Sequence, residues 1–198
     1  MQQFTVHTGT AVPLRRSDVD TDQIIPVRFL TLSERTGHAD SLFADWREDP
    51  GFVLNRPVHR GSTILVAGND FGTGSSREYA VWALLDYGFR AVIAPRFGDI
   101  FRGNALLNGL LPVVLPAAVV ERLWQAVETD PAVPVTVDLE RLEVRCGPLA
   151  ESFSVDARAR ERLLTGTDLI GATLTHAGDI ETYEANRRPT LPVTGGTR

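Results

Sequence analysis

Apolar positions along this chain follow two rhythms, and the change from one to the other divides the sequence. Residues 62–67, 91–94 and 112–115 are short apolar runs, such as Ile64-Leu65-Val66-Ala67 and Ala91-Val92-Ile93-Ala94. That pattern belongs to strands buried on both faces. Between them the spacing turns helical. Val81, Leu84 and Leu85 mark a helix that begins near Ser75 and stops before Gly88, and a second helix spans 99–108. Val120, Leu123, Trp124 and Val127 share one face of a third helix over 117–128. Strands alternating with helices of this length predict βαβ units and a largely parallel sheet.

After Pro131 the period becomes two. Residues 133–139, 142–146 and 151–155 alternate like the strands of an antiparallel meander, followed by a charged helix at 156–164. Residues 4–7 read as a short opening strand. Residues 28–60 carry only weak helix signals, broken at Gly37, Pro50-Gly51 and Pro57, so a functional or mobile loop is expected there. The expected organisation is one α/β domain over 1–184 with a strand-rich C-terminal extension. A disordered tail is expected over 185–198, which holds Pro189, Pro192, Gly195 and Gly196.

Composition removes several functions. The 198 residues carry a formal charge of −5, without the clustered positive charge of a nucleic-acid surface. All 20 basic residues are arginine, which excludes a P-loop lysine, a Schiff-base lysine and the lysine of the Tyr-x-x-x-Lys dehydrogenases. Cys146 is the only cysteine, and His7, His38, His59 and His176 form no pair at metal-ligand spacing. No metal site of the chain's own is therefore expected. No apolar stretch is long enough to span a membrane, and the first nine residues do not read as a signal peptide. A cytoplasmic location is expected.

The segment best suited to chemistry joins the strand at 64–67 to the helix after it. Gly68, Gly72 and Gly74 allow sharp turns and close approach of backbone to a ligand. Ser75, Ser76 and Arg77 then supply two hydroxyls and a planar cation suited to a carboxylate, at a helix start that favours anions. A purely structural reading competes. Ser75 and Glu78 have the spacing of a capping box, which many helices use without any catalysis. Upstream, Asp18, Asp20 and Asp22 alternate like the start of a calcium loop, but the glycine and closing glutamate are missing. Asx-turns and solvated charge account better for Asp18 and Asp20.

Three segments in order carry a resemblance to a known family. They are Asp18-Val19-Asp20-Thr21-Asp22-Gln23-Ile24-Ile25-Pro26, then Gly72-Thr73-Gly74-Ser75-Ser76-Arg77-Glu78, then Val92-Ile93-Ala94 leading to Asn108-Gly109-Leu110-Leu111-Pro112. Together with Leu164-Thr165-Gly166-Thr167-Asp168-Leu169-Ile170-Gly171, they resemble the small subunits of 3-isopropylmalate dehydratase, in the aconitase superfamily. Thr73, Tyr79 and Arg96 stand where many relatives carry cysteine, histidine and serine. The resemblance implies a swivelling β/β/α domain similar to the mobile C-terminal domain of aconitase. It also implies a large partner subunit that holds a [4Fe–4S] cluster, and a small hydroxy-acid dicarboxylate as substrate. Ser75 would be the catalytic base. Ser76, Arg77 and Asp22 would bind or orient substrate, and Arg28 would reach a carboxylate from a loop in which Phe29, Leu30 and Leu32 cover an apolar side chain. Homoaconitase, a citraconate or methylmalate hydro-lyase, and a non-catalytic anion-binding module are the alternatives.

Overall fold

Two four-stranded sheets organise the computed structural model, which describes residues 1–30, 35–75 and 77–187. In chain order the elements are β1 (Val6–Gly9), β2 (Ala11–Leu14), α1 (Thr21–Ile24), α2 (Ala44–Arg47), β3 (Ile64–Ala67) and α3 (Glu78–Tyr87). They continue with β4 (Ala91–Ala94), α4 (Asp99–Asn108), β5 (Leu111–Val114), α5 (Ala117–Thr129), β6 (Val135–Asp138), β7 (Glu143–Cys146) and β8 (Leu149–Ser152). Three helices end the described chain: α6 (Ala157–Thr165), α7 (Leu169–Leu174) and α8 (Ala177–Asn186).

The βαβ expectation holds. Strands β2, β3, β4 and β5 lie side by side in that order and all parallel, with α3 and α4 as crossovers. Side chains alternate between two cores. Val12, Leu14, Leu65, Ala67, Val92 and Ala94 face a core shared with α3 and α4. Ala11, Ile64, Val66, Ala91 and Ile93 face a second core, shared with α5 and with Val135, Val137 and Val144 of the other sheet. The result is a β/β/α layering with the parallel sheet in the middle, buried on both sides.

Periodicity overlooks β2. It has four residues, contains Pro13 and is an edge strand, the place where a missing N–H leaves no ladder bond unmade. The opening strand lies two residues later than expected and pairs antiparallel with β6, so the meander gains a fourth strand in the order β1-β6-β7-β8.

Residues 35–60 are not a loose loop. Short 3₁₀ turns and α2 carry Leu42, Phe43, Phe52 and Leu54 into the first core. Phe43 stacks on Trp46 at 5.2 Å, and the Arg16 guanidinium lies 4.0 Å from the centre of the Trp46 ring. Irregular aromatic anchoring leaves no period to read. At the other end, α8 runs through Asn186, two residues into the expected tail, and residues 188–198 lie outside the described ones. Among the described residues no helix is long and apolar enough to cross a membrane.

Candidate active site

Beyond the carboxyl ends of β2, β3 and β4 the chain keeps pairing, one residue at a time. Gly72 N and Thr73 N both donate to Val19 O, at 2.7 and 3.2 Å, and Thr21 N donates to Thr73 O at 3.0 Å. On the other side Phe71 N donates to Arg96 O at 3.1 Å, and Gly98 N to Phe71 O at 2.9 Å. The acidic loop, the glycine turn and the turn after β4 are thus laid together at the edge where open α/β sheets bind ligands. Gly72 makes this possible. Its φ is +78°, and a Cβ there would overlap the ring of Phe101.

Asp20 is a helix cap. Its Oδ1 accepts from Gln23 N at 2.8 Å, while Gln23 Oε1 accepts from Asp20 N at 2.9 Å, a reciprocal capping box that starts α1. The neighbouring Asp18 adopts φ +54° in the turn that donates its N–H to Asn69 O. The cap directs the first turn of α1 toward the glycine turn. Thr21, fully buried, sets its Oγ1 3.5 Å from the Oγ of Ser75, and Asp22 accepts a hydrogen bond from Arg77 Nη1. Sequence reasoning gave Thr21 no role of its own. Its signal was a polar residue just inside a capped helix whose neighbours Ile24 and Ile25 are core residues.

Ser75 is exposed and stands outside α3. The helix begins at Glu78 with Arg77 as its N-cap and without a side-chain cap bond, so the Ser75–Glu78 capping box does not form. Glu78 Oε1 instead accepts from Asn108 Nδ2 at 2.8 Å. Gly72 and Gly74 both adopt positive φ, and Arg77 has extended backbone before α3 begins. Arg77 is only 23% exposed at its side chain, against 49% for Asp22, so the guanidinium is the more enclosed partner. Ser76 lies outside the described residues.

Arg28 is engaged elsewhere. It pairs with Asp45 of α2 at 2.5 Å and lies 4.7 Å from the centre of the Phe29 ring. Phe29 and Leu30 are partly buried against the first core, and Leu32 lies outside the described residues. The structure therefore brings together Asp22, Ser75 and Arg77, and gives Arg28 a salt bridge on the loop beside them.

The donor set of this chain does not fit an iron–sulfur cluster, which takes several thiolates. Its one cysteine, Cys146, is 2% exposed in the second core, where burial pushes the thiol pKa up. Among the described residues no three His, Cys, Asp or Glu side chains are grouped as a metal site. Two histidines serve the fold. His59 is 4% exposed, and burial lowers its pKa. His38 packs edge-on against Tyr79, and its backbone N–H donates to Asp86 Oδ2 at 2.9 Å.

Comparison with known proteins points one way. Residues 1–118 match the model of the aconitase C-terminal domain and 121–157 the LeuD_N model. Residues 170–194 match the model of the C-terminal domain of 3-isopropylmalate dehydratase small subunits. The 3-isopropylmalate dehydratase small subunit of Acidothermus cellulolyticus is 63% identical over 194 residues, covering 98% of each chain. Those of Parafrankia sp. and Thermobifida fusca are 62% and 59% identical, over 98% of this chain and 100% of theirs. A solved 3-isopropylmalate dehydratase from Methanocaldococcus jannaschii superposes with a TM-score of 0.66 at 27% identity, over 91% of this chain and 99% of that one.

Proposed function

The chain belongs to the 3-isopropylmalate dehydratase small-subunit family of the aconitase superfamily, and from that premise we propose that it supplies the proton-transfer half of a shared active site. The [4Fe–4S] cluster belongs to the large subunit, in keeping with the unsuitable donors here. The proposed reaction converts 2-isopropylmalate into 3-isopropylmalate through isopropylmaleate, in leucine biosynthesis.

Dehydration takes a proton from the carbon beside one carboxylate and hydroxide from the neighbouring carbon. Rehydration returns both with their positions exchanged. Ser75, as its alkoxide, accepts the proton and later returns it to the carbon that had carried the hydroxyl. Loss and return of hydroxide are assigned to the large subunit. A serine ionises near neutrality only where its surroundings favour the anion. The permanent charge of Arg77 two residues away and the positive N-terminal end of the α3 dipole act in that direction. Closure against the large subunit removes water and strengthens both effects. Arg77 binds a substrate carboxylate through its planar fork, and Asp22 holds that fork in place. Ser76 adds a hydroxyl for the substrate.

The observation that carries this reading is the meeting of two distant motifs: Asp22 on Arg77, and Thr21 beside Ser75. The deciding experiment is anaerobic turnover of 2- and 3-isopropylmalate with this chain alone, with a reconstituted large subunit, and with both. Formation of the unsaturated intermediate is followed by ultraviolet absorbance. Activity only in the mixture is expected. An assembled complex inert toward both isopropylmalates but active on homoaconitate or citraconate would replace the substrate.

A further inference from the structure

Asn108, the last residue of α4, uses both ends of its side-chain amide on α3. Its Nδ2 donates to Glu78 Oε1 at 2.8 Å and to its own helix at Asn104 O, at 2.9 Å, while its Oδ1 accepts from Trp82 Nε1 at 3.2 Å. The chemistry fixes the amide's orientation. An indole N–H can only donate and a carboxylate only accept, so the oxygen must face Trp82 and the nitrogen Glu78. No other side chain of this size offers an acceptor and two donors at once.

Glu78 and Trp82 are four residues apart, on one face of the first turns of α3. This is the end of the helix that lacks a side-chain cap. On this side a cavity of about 230 Å³ lies against Glu78, Asn108 and Arg35, so the amide bonds are the direct links from α4 to the first residue of α3. Trp82 extends the grip. Its ring lies 4.6 Å from Tyr79 and 6.0 Å from His38, and Asp86, one turn further along α3, accepts the His38 backbone N–H.

We propose that Asn108 is a positioning residue that sets the placement of Ser75 and Arg77 by holding Glu78 and Trp82 at the start of α3. This inference rests on the reading of Ser75 as base and Arg77 as carboxylate clamp. Asn108→Asp keeps the acceptor for Trp82 but sets a second carboxylate against Glu78, and the repulsion displaces the helix start. Glu78→Gln then restores a donor–acceptor pair in the double variant.

The test is a double-variant cycle in the assembled two-subunit enzyme, with assembly and melting temperature measured for each form. Turnover of N108D is expected to fall about 10- to 100-fold, the scale of a displacement near 1 Å. E78Q in the same chain should recover at least about a third of that loss on a logarithmic scale, a coupling that independent sites do not show. N108D alone should also regain activity as the pH falls and the facing carboxylates share a proton. Should N108D fail to assemble, Asn108→Ser removes the bonds without adding charge and is expected to lower turnover in an intact complex. Wild-type turnover in N108D or N108S, or a double variant no better than N108D, overturns the inference. Ser75→Ala measured in parallel separates the two readings: an active S75A sinks the base, whereas a dead S75A beside a fully active N108D sinks only the positioning role.

Discussion

Arg77 donates to the carboxylate of Asp22, a residue 55 positions earlier in the chain, from the N-cap of the helix that follows Ser75. Each partner comes from a different strand-end loop, so this ion pair reports whether the two halves of the site are in register. On the proposed reading, substrate either adds to the pair or displaces Asp22. A guanidinium with five N–H groups can serve both carboxylates at once.

Arg77→Lys keeps the charge but loses the fork. The expected result is a fall in kcat/KM of about 10- to 100-fold, mainly through KM, matching about 1.5–3 kcal/mol for a charge-assisted hydrogen bond. Asp22→Asn should cost less, because the arginine remains. Steady-state kinetics on the assembled enzyme measure both, and an Asp22→Asn enzyme worse than Arg77→Lys would reverse the assigned roles.

Ser75→Ala should lower turnover by about 10²- to 10⁴-fold, the usual contribution of a general base. Because Ser75 makes no cap bond, the roughly 1 kcal/mol of a lost N-cap is not expected. Thermal melting should leave S75A close to the parent. Thr21→Val, which removes the hydroxyl beside Ser75, is expected to produce a smaller loss of turnover.

Gly72→Ala combines a positive φ with overlap on the Phe101 ring. A destabilisation of about 2 kcal/mol or more is expected from overpacking and backbone strain, read from denaturant midpoints. Gly103→Ala meets no atoms and is the matched control on the same helix as Phe101.

Acid should weaken the fold in two separate windows. The folded-state pKa of His59 lies below 6.5, through burial first and then the charge of Arg56, and that of His7 is lowered by burial and Arg90. The unfolded chain therefore binds more protons as pH falls through about 6.5, and stability declines from there down to the folded pKa values. Glu121 and Glu128 are held below 4.5 chiefly by hydrogen bonds from Arg15, so their contribution is present above 4.5 and is lost only in stronger acid. Denaturant midpoints at pH 7.5, 6.5 and 5.5 should fall in the parent and fall less steeply in His59→Gln. An equal slope in both would remove His59 from the account.

What could be read from sequence was what depends on neighbours along the chain. Strands β3, β4 and β5 are continuous apolar runs, and α5 places Val120, Leu123 and Val127 on one buried face, so period alone located them. Strand β2 and the packed segment around Trp46 depend on partners far away, which no local period reports. The same division holds at the site. Ser75 and Arg77 were found as a motif, but that Asp22 binds Arg77, that Thr21 reaches Ser75 and that Asn108 holds Glu78 are facts of tertiary placement. Arg28 adds a further tertiary fact, its salt bridge to Asp45 of α2, which no local pattern reports.

Strands β1 and β2 are separated by Thr10 alone, yet they belong to different sheets, and the Thr10 carbonyl accepts from Thr63 N and Ile64 N at the junction. Protein synthesis meets these sheets at different times. All four strands of the parallel sheet have left the ribosome once residue 114 emerges, whereas the partner of β1, Val135–Asp138, follows only later. Through that interval the first strand made lacks its partner, and the backbone groups that later pair with β6 are open to any other nascent chain. The strand-rich extension therefore acts as the closing seam of the fold, and a chain released early, before β6, would carry a complete candidate site on a body prone to aggregate.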